Sequence, residues 1–114
     1  MPLLKIHTNQ PLDDTAQTAL MQKASAKVAE LLGKPEHYVM IALDTDQAML
    51  FASSSAPLAY LELKSIGLPD DATTALSAAL CQLVSEELTI AQDRIYIEFT
   101  NARRHLWGWD GHTF

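Results

Sequence analysis

The order strand, amphipathic helix, strand occurs twice along these 114 residues, and this repeat restricts the possible folds more than any single motif does. In the first half, Leu3-Leu4-Lys5-Ile6-His7-Thr8 alternates as a strand, with Leu4, Ile6 and Thr8 on one face and Leu3, Lys5 and His7 on the other. Thr8-Asn9-Gln10-Pro11 reads as a turn, and Asp13 or Asp14 is placed to accept from the free amides of the next helix. Ala16, Leu20, Ala24, Val28 and Leu31/Leu32 form that helix's apolar stripe. Gly33 supplies its left-handed cap and Pro35 prevents continuation. A second strand is predicted over 38–43, then irregular chain to Pro57 with one short strand at 48–51. The second half repeats the plan. A strand over 58–66 is followed by a turn at Gly67 and Pro69, with Asp70 or Asp71 as helix cap. Leu76, Leu80, Leu83/Val84 and Leu88 make the second buried stripe, and a strand over 95–100 closes the unit.

About 35 residues separate the strand starts within each half, room for a helical crossover between parallel strands. Such crossovers are right-handed. Two of these units most economically share one four-stranded sheet with both helices on one face, an α+β two-layer sandwich. The chain is therefore expected to be a single domain, 1–114, made of two pseudo-repeats at about 1–57 and 58–114. The other sheet face carries Leu3, Leu58, Tyr60 and Ile66, too apolar for bulk water, so contact with other subunits is predicted there.

Charge and composition exclude several classes. A net charge of −6 opposes a nucleic-acid surface. No apolar run approaches a membrane span, and no basic-then-apolar leader is visible, so a cytoplasmic location is expected. One cysteine, Cys81, allows no internal disulfide and reads as a small core residue. His7, His37, His105 and His112 lack ligand-like spacing, so no metal is assigned. Arg103-Arg104 beside His105 reads as an ion-pairing loop.

Pro2 carries two readings. Proline is tolerated at the start of an edge strand. If Met1 is removed, however, the Pro2 ring nitrogen becomes a secondary amine at the tip of a strand, able to take and return protons where its pKa is held down. A retained Met1 would make that nitrogen an amide and abolish the base.

Pro2 after Met1, Thr8-Asn9, Gly33-Lys34-Pro35, Lys64-Ser65-Ile66-Gly67, Asp93-Arg94-Ile95-Tyr96-Ile97 and the ending Gly108-Trp109-Asp110-Gly111-His112-Thr113-Phe114 together resemble the macrophage migration inhibitory factor family. The ending Leu106-Trp107-Gly108-Trp109 is most similar to its microbial members. The resemblance implies the tautomerase-superfamily fold and a homotrimer with active sites between subunits. It implies a cofactor-free keto–enol tautomerase of small keto or enol acids, of the phenylpyruvate or dopachrome type, with Pro2 as the catalytic base. By the same resemblance Lys34 holds the substrate's carboxylate or carbonyl, and Ile66 offers its main-chain N–H. Tyr96 and Glu98 belong to positions contributed by a neighbouring subunit, and Trp107, Trp109 and Phe114 line the pocket. Alternatives on the same fold are a hydratase or dehalogenase of unsaturated acids, using Arg103, Arg104 and Glu98, or a cytokine-like signalling protein released by a non-classical route.

Three departures from the animal pattern stand out. Pro57-Leu58-Ala59-Tyr60-Leu61 replaces a Cys-x-x-Cys pair, which removes a thiol–disulfide activity. Glu98 replaces an asparagine at the subunit-shared site and is expected to retune substrate choice by raising the pKa of Pro2 and repelling an anionic substrate, the alternatives being that it pairs with Arg103 or Arg104 or faces solvent. Trp107 replaces a small aliphatic residue, narrowing the mouth and offering a stacking face.

Overall fold

The computed structural model describes residues 1–114. Strand β1 is Leu3–Thr8, helix α1 Asp14–Leu32, β2 Met40–Asp44, β3 Ala59–Ile66, α2 Thr73–Leu88 and β4 Ile95–Ala102. Two short strands, β5 Gly108–Trp109 and β6 His112–Thr113, end the chain. The four long strands lie in the order β2-β1-β3-β4. β1 pairs parallel with β2 and β3 parallel with β4, while β1 and β3 meet antiparallel at the centre. Each half is thus a β-α-β unit, and the two halves join along their first strands. No helix is long and apolar enough to cross a membrane.

Alternation in β1 and β3 explains where the core sits. Leu4 and Ile6 from β1 and Leu61 and Leu63 from β3 are fully buried with Leu20, Ala24 and Val28 of α1 and Leu80 and Val84 of α2. Truncating any of these leucines to alanine would cost about 2–5 kcal/mol in lost burial and cavity. At the start of α1, Asp13 accepts from the Ala16 N–H at 2.7 Å. At its end Gly33 sits at φ 62°, and the Lys34 N–H reaches back to the Ala29 carbonyl at 3.0 Å.

Three expectations need correction. Neither Asp70 nor Asp71 caps α2, because Asp70–Ala72 forms a 3-10 turn that runs directly into the helix. Residues 48–51 form no sheet strand. Ala52 and Ser53 both take positive φ, so the chain reverses at once and Phe51 and Ser54 exchange both main-chain hydrogen bonds at 3.0 Å. The open sheet face is also less apolar than predicted. Leu58 is buried beside Met49–Ala52 and Ile66 beside Lys34 and Gly67. What remains uncovered is largely polar, with Lys5, His7, Tyr60, Glu62, Lys64 and Glu98 across the strands.

Candidate active site

The amino end of β1 is the meeting point of two clefts. Pro2 is fully buried, and its carbonyl accepts from the Met40 N–H at 3.0 Å. Extending the β1–β3 register past Leu3 and Lys64 sets Pro2 opposite Ser65 and Met1 opposite Ile66. Lys34 arrives from the end of α1, where the Gly33 cap turns the chain toward the sheet. Its ammonium donates to the Ile66 carbonyl at 2.6 Å and lies near enough to the Met1 amine to lower its pKa.

That amine is strongly perturbed. Partial burial, then the Lys34 charge and hydrogen bond, then the Arg104 charge, lower its pKa to about 6 from an ordinary 8.0. A neutral amine can accept a hydrogen bond from an ammonium, whereas a protonated one would be repelled by it. The location therefore favours an unprotonated base at neutral pH. With Met1 in place the primary amine of Met1 occupies it, and the Pro2 nitrogen is an amide.

The first cleft, of about 400 Å³, is lined by Met1, Pro2, His37, Tyr38, Met40, Trp107, Trp109 and Phe114. Asp110 and Gly111, both at positive φ, form the turn between β5 and β6. This hairpin stacks Trp109 on Phe114, with centroids 5.8 Å apart and planes at 7°. The Tyr38 ring stands edge-on to Trp109 at 5.8 Å. The result is a rigid aromatic wall suited to a flat or apolar substrate body. The second cleft, about 590 Å³, is lined by Lys34, Ile66, Gly67, Asn101, Ala102, Arg103 and Arg104.

Of the residues singled out from sequence, Pro2, Trp107, Trp109 and Phe114 border the aromatic cleft, and Lys34 and Ile66 the cationic one. Tyr96 and Glu98 join neither. Tyr96 is 65% exposed and packs on Phe51 at 4.6 Å, in an apolar groove of about 320 Å³. Glu98 accepts from the Tyr60 hydroxyl at 2.9 Å and pairs with neither Arg103 nor Arg104. Glu98 first, then burial, then Glu62, push the Tyr60 pKa up to about 12. The expected ion-pairing loop at Arg103 and Arg104 is likewise corrected, since neither arginine joins an ion pair. Their carboxylate candidate, Glu98, lies on the open sheet face, away from the cationic cleft.

His37, Tyr38 and Met40 were missed as cleft residues. The register between β1 and β2, which sets Leu3 beside Met40, is the signal that would have found them. The β5–β6 hairpin was also missed, although Asp110-Gly111 is a strong two-residue turn signal.

The family model for macrophage migration inhibitory factor matches residues 1–114. The chain belongs to this family. Over its full length it is 39% identical to the macrophage migration inhibitory factor homolog of Brugia malayi, covering 99% of that protein. It is 35% identical to the macrophage migration inhibitory factor of Meriones unguiculatus, again over the whole chain and 99% of the relative. Among solved structures, the homologue from Prochlorococcus marinus superposes with a TM-score of 0.93 at 42% identity, covering 98% of both chains. The protein from Trichinella spiralis gives 0.90 at 32%, covering 98% of this chain and 99% of that one. The macrophage migration inhibitory factor fold is therefore the frame in which the amine, Lys34 and the aromatic hairpin are held.

Proposed function

We propose that this chain is a cofactor-free keto–enol tautomerase of the phenylpyruvate or dopachrome type, with the Pro2 ring nitrogen as base once Met1 is removed. The observation that carries this reading is the amine site itself. Burial, Lys34 and Arg104 favour a neutral amine at Met1, and the Pro2 nitrogen that loss of Met1 would free stands one residue away, at the edge of the same aromatic cleft of about 400 Å³.

The neutral nitrogen takes the proton of an enol hydroxyl and delivers a proton to C3 of the same molecule, giving the 2-keto acid. In the reverse direction it removes the C3 proton. Lys34, already donating to the Ile66 carbonyl, is placed to hold the acid's carboxylate or to stabilise charge developing on the enolate oxygen. The Trp109–Phe114 stack supports an aryl substituent. No metal or redox step is required by this proton transfer.

We further propose a homotrimer in which Tyr96 and Glu98 act at a neighbour's site. In a single chain they face away from the amine, and Tyr96 and the nearby Leu50 are 65% and 70% exposed. Membership of the family and the apolar groove at Tyr96 support an oligomer.

The test is phenylpyruvate tautomerisation by protein whose mass shows loss of Met1. Pro2→Ala should lower kcat/KM by about a hundredfold or more, the usual worth of a positioned acid–base group. Equal rates for Pro2→Ala, or for protein retaining Met1, would remove proline from the mechanism.

A further inference from the structure

The cationic cleft has more positive charge than one carboxylate needs. Lys34, Arg103 and Arg104 line it, and no aspartate or glutamate does. The chain's ion pairs are His7–Asp44, Lys23–Glu87, Lys27–Glu30 and Lys64–Glu62, none of which involves these three cations. On a protein of net charge −6 with only eight lysines and arginines, three of them converge on one recess with no carboxylate of their own chain lining it, and a single Glu98 from a neighbour would offset one of the three. Their mutual repulsion is unfavourable unless an anion relieves it. A guanidinium presents a planar fork that matches a carboxylate in two parallel hydrogen bonds.

The arrangement around the amine gives this charge a direction. The aromatic cleft opens on the side of Pro2, Trp107 and Trp109, while the arginines stand on the side of Lys34 and Ile66. The Arg104 charge reaches the terminal amine together with that of Lys34, so the cationic cleft and the reacting position are within electrostatic range of each other. A substrate bound at the amine can place its first carboxylate at Lys34, and Arg103 and Arg104 line the same cleft.

We propose that Arg103 and Arg104 are specificity-determining residues that recognise a second carboxylate, so that the preferred substrates are 2-oxo diacids and their enols. This rests on the proton-transfer reading above and names its substrate class. The second carboxylate does no chemistry. It holds the molecule by charge-assisted hydrogen bonds and so raises kcat/KM for the diacid relative to a monoacid of the same chain length.

The decisive comparison is exchange of C3 protons in D2O, followed by NMR, for 2-oxoglutarate against 2-oxopentanoate. The ratio of their kcat/KM values should favour the diacid in the processed protein. It should fall by about tenfold in Arg103→Gln/Arg104→Gln, a change expected on losing a charged hydrogen bond. Added salt should reduce the ratio as well. An Arg103→Lys/Arg104→Lys variant should recover part of it by restoring charge without the fork. A ratio unaltered by the glutamine pair overturns the proposal. So does an equal fall for both acids, which would assign the arginines to the reacting carboxylate. A binding measurement separates this idea from the tautomerase reading. The chain's two tryptophans, Trp107 and Trp109, both border the site, so their fluorescence can report titration with glutarate and with butyrate. If neither keto acid exchanges, the tautomerase reading fails by itself. Tighter glutarate binding that is lost in the glutamine pair would then still establish the dianion site, and indifference to the second carboxylate would overturn it.

Discussion

Lys34 does two things through one ammonium, donating to the Ile66 carbonyl at 2.6 Å and lowering the pKa of the terminal amine. Its charge disfavours adding a second charge to the amine, so the sign of its effect on pH dependence follows directly. Below the amine's pKa the base is protonated and the rate falls. The ascending limb of kcat/KM against pH should therefore lie below the ordinary amine value of about 8. Lys34→Gln removes the neighbouring charge and the hydrogen bond, raises the amine pKa and should move this limb to higher pH. A limb that stayed in place would show that burial and Arg104 set the amine without Lys34. Arg94 shows a different use of one residue. Its guanidinium donates to the carbonyls of Phe51, Ser54, Ala56 and Pro57 at 3.0–3.2 Å and lies over the Phe51 ring. The residue that reads from sequence as part of a strand motif is the clasp of the irregular stretch before β3.

Helix ends and turns separate what local chemistry determines from what it only permits. Asp13 and Gly33 act at α1 as their types predict, and a cap like Asp13 is worth about 1 kcal/mol. At α2 the aspartates do not cap, and the helix ends on Thr89 in the left-handed region at φ 55°. A β-branched residue is disfavoured there. Thr89→Gly should raise stability by about 1 kcal/mol, visible as a higher denaturation midpoint. An unchanged or lower midpoint would mean that the threonine side chain makes compensating contacts. The two strands and the helical stripe of each half were legible because they rest on periodicity, which burial of one face imposes on every residue of an element. The turn after 48–51 was not, because it depends on positive φ at Ala52 and Ser53, which give no strong signal for that conformation. The terminal hairpin was legible at Asp110-Gly111 but was not read there.

For the whole molecule, the sheet has one closed face and one open face. The open side mixes charged rows with exposed apolar residues at its margins, including Met40 at 65% and Tyr96 at 65% exposure, with Leu50 nearby at 70%. Together with Tyr96 and Glu98 standing away from the amine of their own chain, this distribution underlies the trimer proposed above. Sedimentation at micromolar concentration should give a trimer. Leu50→Asp, which places a charge in the Tyr96 groove, should shift the population toward monomer and lower tautomerase activity with it. A clean monomer in the unsubstituted protein would refute the assembly, and the sites of Tyr96 and Glu98 would then need another account.

The sequence alone determined the duplicated β-α-β plan and the single core, which apolar spacing carries locally, while the candidacy of Pro2 and Lys34 came from the family resemblance. Tertiary structure decided which groups share a site. It brought the amine, Lys34 and Arg104 together from the start of β1, the end of α1 and the turn beyond β4, and it set Tyr38 against Trp109. It also left Arg103 and Arg104 without ion-pair partners and gave Glu98 to Tyr60. Proximity across the sheet depends on strand order and register, and these follow from how the two halves pack, not from any stretch of chain read by itself.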